Sequence, residues 1–277
     1  DAQNFTTATA GYNVALGYSA GSANTTGRFN TFIGANSGVA NTSASYNTSV
    51  GYAALGTNTT GAANTAIGNN ALNVNSSANN NTAVGAYTLE DNTTGTENTA
   101  VGAGAVKNNT TASYNTGVGL DALMTNTTGG NNTAVGRASL INNNASNNTA
   151  FGMNAMYGNT SGAQNTAVGT SALEANTTAN NNTAVGYHAL NDNTTGGRNV
   201  AIGNYAFDTQ TTAGSYNVGV GYAVGDSVTT AQGVTLIGDV AGDAITTSSG
   251  CTAVGQSALS THATGSANTA IGKSALT

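Results

Sequence analysis

Few residues in this chain of 277 could do covalent chemistry. The one thiol, Cys251, would be a nucleophile only beside a general base, and the two imidazoles, His188 and His262, lie far apart with no acidic cluster at matching positions. Cys251 therefore reads as a buried structural thiol, and each histidine as a single surface variant. One cysteine also excludes an intrachain disulfide framework and a Cys-based metal site. The acidic side chains, among them Glu90, Asp91, Glu97, Asp121, Glu174, Asp192, Asp208, Asp226, Asp239 and Asp243, fall at scattered positions, and no Gly-Gly-x-Gly-x-Asp calcium nonapeptide recurs. The glycines form neither a P-loop nor a dinucleotide fingerprint leading into a helix. No catalytic residue, metal or cofactor is expected, and the chain does not read as an enzyme.

The residues that do recur carry amides and hydroxyls. Asn64, Asn81, Asn98 and Asn115 each open the same phrase, as in Asn64-Thr65-Ala66-Ile67-Gly68 and Asn81-Thr82-Ala83-Val84-Gly85. Amides at one position of successive units predict a ladder of hydrogen bonds between coils. Cys251 occupies that position in its own unit. Asn-x-Ser/Thr sequons recur from Asn24, Asn41 and Asn58 to Asn193. They would allow a glycan-decorated edge in a glycosylating pathway, although Asn-Thr-Thr-Gly is also good turn chemistry.

The elements that place these residues follow from the repeat. Aligned on the phrase glycine, the units run from Gly17 and Gly34 through Gly68 to Gly272, spaced by 17 residues except for 16 between Gly136 and Gly152 and 18 between Gly203 and Gly221. Before each glycine stands a large apolar residue, including Ile67, Val84, Val101, Val118 and Val135. Alternation in a short strand assigns this residue and the threonine two places earlier to the core, leaving Ala66 and its equivalents facing outward. Four places after the glycine comes a second core column, Leu72, Leu89 and Leu123, replaced by Gly21, Gly38, Gly225 and Gly242 elsewhere, where a thinner section is expected. Its Ala-Leu pair is expected on a second strand or extended corner. Recurrent Gly, Asn, Thr and Ser clusters forbid a helix.

A unit this short cannot bury its own apolar face, so the pattern predicts an all-β fold, a β-solenoid of parallel β-roll type with about sixteen 17-residue repeats. Ten places after the phrase glycine, Gly and Ala alternate (Gly61, Ala78, Gly95, Ala112), a 34-residue superperiod that leaves open whether a coil takes 17 or 34 residues. The expected organisation is a lead-in over 1–12 and a continuous repeat domain over 13–277, less regular over 209–250. The standard phrase persists in the last unit, as expected of a piece of a longer chain or of a chain that stacks end to end.

Composition narrows the partners. Five basic residues, Arg28, Lys107, Arg137, Arg198 and Lys273, stand dispersed against eleven acidic ones, so no basic face for nucleic acid is expected. No apolar run is long enough to insert in a membrane as a helix. Tyr18, Tyr52, Tyr187 and Tyr222 could offer sugar-stacking platforms, though not a continuous stripe.

The phrase resembles the Ser-Val-Ala-Ile-Gly repeat of trimeric bacterial adhesin heads. More closely, Asn-Thr-Ala-Val-Gly with Ala-Leu and Asn-Thr-Thr-Gly is similar to repeats of tail-fibre-like proteins of phages and bacteria, over Asn13 to Leu276. That resemblance implies a homotrimeric fibre of β-rolls at a cell surface or on a virion, with a cell-surface glycan or protein as receptor and alanine columns at the subunit interfaces. The leading expectation is thus an extracellular attachment fibre. A self-assembling filament subunit and a solenoid that binds a lattice such as ice or polysaccharide are the alternatives.

Overall fold

The computed structural model describes residues 11–210, 214–261 and 265–277. It is all-β, a parallel β-solenoid with one three-residue strand per coil, in two compact units. Unit 1, residues 1–138, holds β1 (Val14–Leu16), β2 (Thr31–Ile33), β3 (Thr48–Val50), β4 (Thr65–Ile67), β5 (Thr82–Val84), β6 (Thr99–Val101), β7 (Thr116–Val118) and β8 (Thr133–Val135). Unit 2, residues 139–277, holds β9 (Thr149–Phe151), β10 (Thr166–Val168), β11 (Thr183–Val185), β12 (Val200–Ile202), β13 (Val218–Val220), β14 (Thr235–Ile237), β15 (Thr252–Val254) and β16 (Thr269–Ile271).

Thr65 pairs with Thr82, Ala66 with Ala83 and Ile67 with Val84, so one coil is one 17-residue repeat. The register persists through the less regular 209–250, where Val218 pairs with Thr235 and Thr235 with Thr252. Of the expected lead-in, residues 1–10 lie outside the described residues. Gly11 and Tyr12 already belong to a coil: the Phe29 N–H donates to the Gly11 carbonyl at 2.7 Å, and the Tyr12 ring stacks on Phe29.

The strand alternation runs opposite to the sequence expectation. Ala66, Ala83, Ala100 and Ala134 are fully buried, whereas Ile67 and Val101 are exposed and Val84, Val118 and Val135 half-buried. Leu72, Leu89 and Leu123 are fully buried. The reason is width. A coil this narrow has room for one leucine reaching across from the turn, and only a small residue, alanine or Ser49, fits opposite it on the strand.

Exceptions obey the same volume rule. Where the strand carries Phe32, the leucine position is Gly38, and a Cβ there would lie 2.3 Å from the Phe32 ring. Leu236 faces Gly242 in the same way, at 2.7 Å. A Cβ on Gly219 or on Gly225 would lie 2.5 Å from the ring of Phe207. The section is therefore not thinner at Gly38, Gly225 and Gly242; the apolar volume has moved to the opposite wall or an adjacent coil.

The Ala-Leu pair sits on a tight turn and not on a second strand. Leu55, Leu72 and Leu89 adopt left-handed backbone with φ of 50°, 50° and 49°. Such a conformation costs roughly 1–2 kcal/mol per L-residue. Full burial of the side chain and hydrogen bonding to the next coil, as from the Leu72 N–H to Thr88 O at 3.0 Å, offset it. The phrase glycine is required for another reason: Gly68 has φ of 141°, and a Cβ there would meet the Gly85 carbonyl oxygen at 2.3 Å.

The glycines of the Gly/Ala superperiod stand at a crowded inner corner. A Cβ on Gly61 would lie 2.3 Å from the carbonyl oxygen of Ala78, and one on Gly95 would lie 2.2 Å from that of Ala112. A Cβ on Gly196 would likewise lie 2.1 Å from the carbonyl oxygen of Gly214, so these glycines answer to the backbone of the next coil whichever residue stands there.

Candidate functional site

Two amide ladders hold the coils in register. In the first, the backbone N–H of Asn81 donates to Asn64 Oδ1 at 3.0 Å, that of Asn98 to Asn81 Oδ1 at 3.0 Å and that of Asn115 to Asn98 Oδ1 at 2.9 Å. Their Nδ2 groups donate to the turn carbonyls of Ala78, Gly95, Ala112 and Gly129, at 2.8 Å from Asn64 and up to 3.0 Å from Asn115. These four amides are fully buried and committed to structure. Cys251 interrupts this ladder as a buried thiol directed at the Gly265 carbonyl, 3.6 Å away.

The second ladder consists of the sequon asparagines. Asn75 Nδ2 donates to Asn58 Oδ1 at 2.9 Å, Asn92 Nδ2 to Asn75 Oδ1 at 3.0 Å and Asn109 Nδ2 to Asn92 Oδ1 at 2.7 Å. Each is fully buried or nearly so, so a glycan on these amides is incompatible with the folded coil. The two irregular repeats are absorbed on this ladder. Asn58 Nδ2 caps the carbonyl three residues ahead, Gly61 O, at 2.8 Å. In the short unit Asn143 reaches only two ahead, to Ala145 O at 2.8 Å. In the long unit Gln210, with one more methylene, reaches four ahead to Gly214 O at 2.6 Å.

What faces outward is the Thr and aliphatic pair of each strand. Thr65 and Thr82 are half-buried, and Ile67, Phe151, Val168, Ile202 and Ile237 are exposed at about two-fifths of their area, from 39% to 41%. No strand in either unit contains a charged residue; every charge among the described residues lies on a turn or its flank. Adjacent strands lie about 4.8 Å apart and alternate residues about 6.6 Å along a strand, so each unit carries a two-column grid of hydroxyls and branched methyls.

A separate cluster lies in unit 2, just past the strands. Tyr187, Tyr205 and Tyr222 come from successive coils and pack edge to face, with ring centroids 5.3 Å and 6.0 Å apart. His188 lies against Tyr187 at 4.2 Å and 3.6 Å from the Asp208 carboxylate through Nδ1. Partial burial holds the Asp208 carboxyl above its ordinary range, against the pull of His188 and with the push of Asp226 and Asp192. Asp226 is raised likewise by burial and then by Asp243. Desolvation, and then its Tyr187 and Tyr222 neighbours, raise the Tyr205 phenol. His188 is thus a member of a cluster and not an isolated variant. The acids as a whole occupy several columns, but Asp208, Asp226 and Asp243 share one, five places after a phrase glycine on successive coils. Numbering each acid from its glycine reveals the column in sequence.

Tyr18 and Tyr52 are exposed without such neighbours, while Tyr12, Phe29 and Tyr46 form a parallel stack at 5.3 Å and 5.1 Å. His262 lies outside the described residues. Among the described residues no three His, Cys, Asp or Glu side chains converge as a metal site, and no helix is long and apolar enough to cross a membrane. The fold defines a β-solenoid repeat protein. The chain matches no family model, and no curated protein matches it.

Proposed function

We propose that this chain is a length of self-associating fibre, working in attachment at a cell surface or on a virion, with no catalytic step of its own. One observation carries this: the outward Thr and aliphatic columns are free of charge in every strand, although turns on either side bear acids and bases. A regular run of partly exposed Ile and Val, rimmed by polar turns, is the kind of surface that marks an interaction site. Its burial against another copy gains about 25 cal/mol per Å². A thin core, two or three apolar side chains per coil, adds a reason for association. Three copies is the number implied by the resemblance to adhesin heads, and a surface glycan or protein is the receptor class implied with it. The dispersed bases argue against nucleic acid as a partner.

Light scattering of the purified chain at several concentrations tests this. A constant mass near three chains supports a closed trimer, and mass that rises without limit makes the chain a filament subunit. A mass near one chain sinks both. Replacing Ile67 and Val101 by lysine places charge on the exposed face and is expected to lower the mass to one chain with the circular dichroism unchanged.

The outward turn of the threonine column favours a second reading. A free grid of hydroxyls and methyls suits an ordered surface such as ice or a crystalline polysaccharide. It requires the face to be unoccupied, so inhibition of ice growth or retention on insoluble glycan by the one-chain form would support it.

A further inference from the structure

We propose that the Tyr187, Tyr205 and Tyr222 cluster of unit 2, with Asp208 and Asp226 beside it, is a binding site for an amino sugar, a saccharide ring carrying a protonated amine. The aromatic part comes first. Three tyrosines from successive coils, Tyr187 and Tyr222 widely exposed, present ring faces and edges one coil apart, which suits the C–H faces of consecutive sugars in a linear oligomer. Core packing does not require them. The same two columns elsewhere hold Asn69, Asn70, Ala53 and Asn204, with the coil unchanged.

Charge complementarity selects the amine. Asp208 stands near enough to Tyr205 to raise its phenol and lies beside His188, and Asp226 is close to Asp208, with Asp192 and Asp243 near enough to oppose the ionisation of this pair. The one lysine or arginine in residues 174–255 is Arg198, which precedes β12 and donates to the Tyr216 hydroxyl, whereas Tyr205 follows that strand; His188, with Nδ1 3.6 Å from Asp208, is the group a bound ammonium would displace from that carboxylate. A cation set between ring faces and these carboxylates gains cation–π attraction and relieves the repulsion among the acids. A neutral sugar gains only the stacking, and an acidic one is repelled.

The inference gives the attachment reading a ligand class and rests on it for its biological sense, but binding is read on the chain in whatever oligomeric state it takes. Calorimetric titration with a glucosamine hexamer, and with its fully N-acetylated counterpart, is performed on the same samples whose mass is measured. A pH at which the free amine is charged is used. The amine form is expected to bind about tenfold tighter than the acetylated form, with the difference shrinking as salt rises. Tyr205→Asn with Tyr222→Asn is expected to weaken both about tenfold or more. Asp208→Asn with Asp226→Asn should erase the preference for the amine and leave the weaker binding in place. Every replacement puts asparagine where another coil carries it, as at Asn70, Asn69 and Asn73, so folding is retained. Equal affinity for the two hexamers, or binding unaffected by loss of the tyrosines, overturns the proposal, as does absence of binding by either. A change in mass alone bears on the fibre and leaves the site standing.

Discussion

The coils at 48–101 and those at 200–254 share a backbone but fill it differently. In the first, alanine lines the strand and leucine crosses from the turn, as with Ala66 and Leu72, both fully buried. In the second, Gly219 and Gly225 surround Phe207, and Leu236 reaches toward Gly242. Outside, the first stretch carries Tyr52 and Tyr87 two coils apart among small residues, while the second carries Tyr205 and Tyr222, and Asp208 and Asp226, on successive coils. The difference teaches that the coil fixes the total interior volume and the hydrogen-bonded corners, and leaves both the wall that supplies the volume and the outer decoration free.

The largest effect is expected from removing volume where nothing compensates. Leu72→Ala should cost about 2–5 kcal/mol in chemical denaturation, the range for emptying a packed leucine site. Moving volume is gentler: Ala66→Leu alone should cost about 1–3 kcal/mol through overpacking. Adding Leu72→Gly, which copies the Leu236 and Gly242 arrangement, should recover most of it. A double variant no more stable than the sum of its parts would break the comparison.

Asn81→Ala leaves the buried N–H of Asn98 without its 3.0 Å acceptor, and should cost about 1–3 kcal/mol. Cys251→Ala, where the ladder is already interrupted, should cost less than that in the same denaturation series. The smallest effect concerns pH. The carboxyls of Asp208 and Asp226 are raised in the folded chain, so their contribution is complete below the ordinary aspartate range and is lost as pH rises through the raised values. Unit 2 should therefore gain a fraction of a kcal/mol on acidification from neutrality toward about pH 4, small because both groups are partly solvent-screened. Asp208→Asn with Asp226→Asn should flatten that slope in hydrogen-exchange profiles of unit 2.

The coil, its one strand and the amide ladder of Asn64 and Asn81 were legible because a repeated residue at fixed spacing implies a stacked partner. The facing of the strand was not. Alternation allows two phases, and the size of Ile67 argues for the interior unless one notices that Asn64, three places earlier, must share a side with Ala66 and that Phe32 is matched by Gly38. That compensation is written in sequence, but only as a correlation between columns six residues apart. The left-handed leucines at Leu55, Leu72 and Leu89 were beyond sequence reasoning, because propensity assigns that backbone to glycine and asparagine, and here tertiary burial overrides it. The tyrosine cluster was half legible. Tyr187 and Tyr222 were visible as sugar-stacking candidates, but Tyr205 stands one column over and joins them only through side-chain reach across coils.

The shortened turn at Asn143 and the lengthened one at Gln210 bear on how a gene of this kind can change. An amide on the inner corner that can swing to a carbonyl two, three or four residues ahead makes that corner a place where a codon can be gained or lost while each strand stays in its lane. Slippage during copying, ordinarily ruinous inside a folded domain, is then tolerated at this corner. Duplication of a whole repeat lengthens a unit by one step of about 4.8 Å, so reach can drift from generation to generation while the surface offered at every step is inherited unchanged.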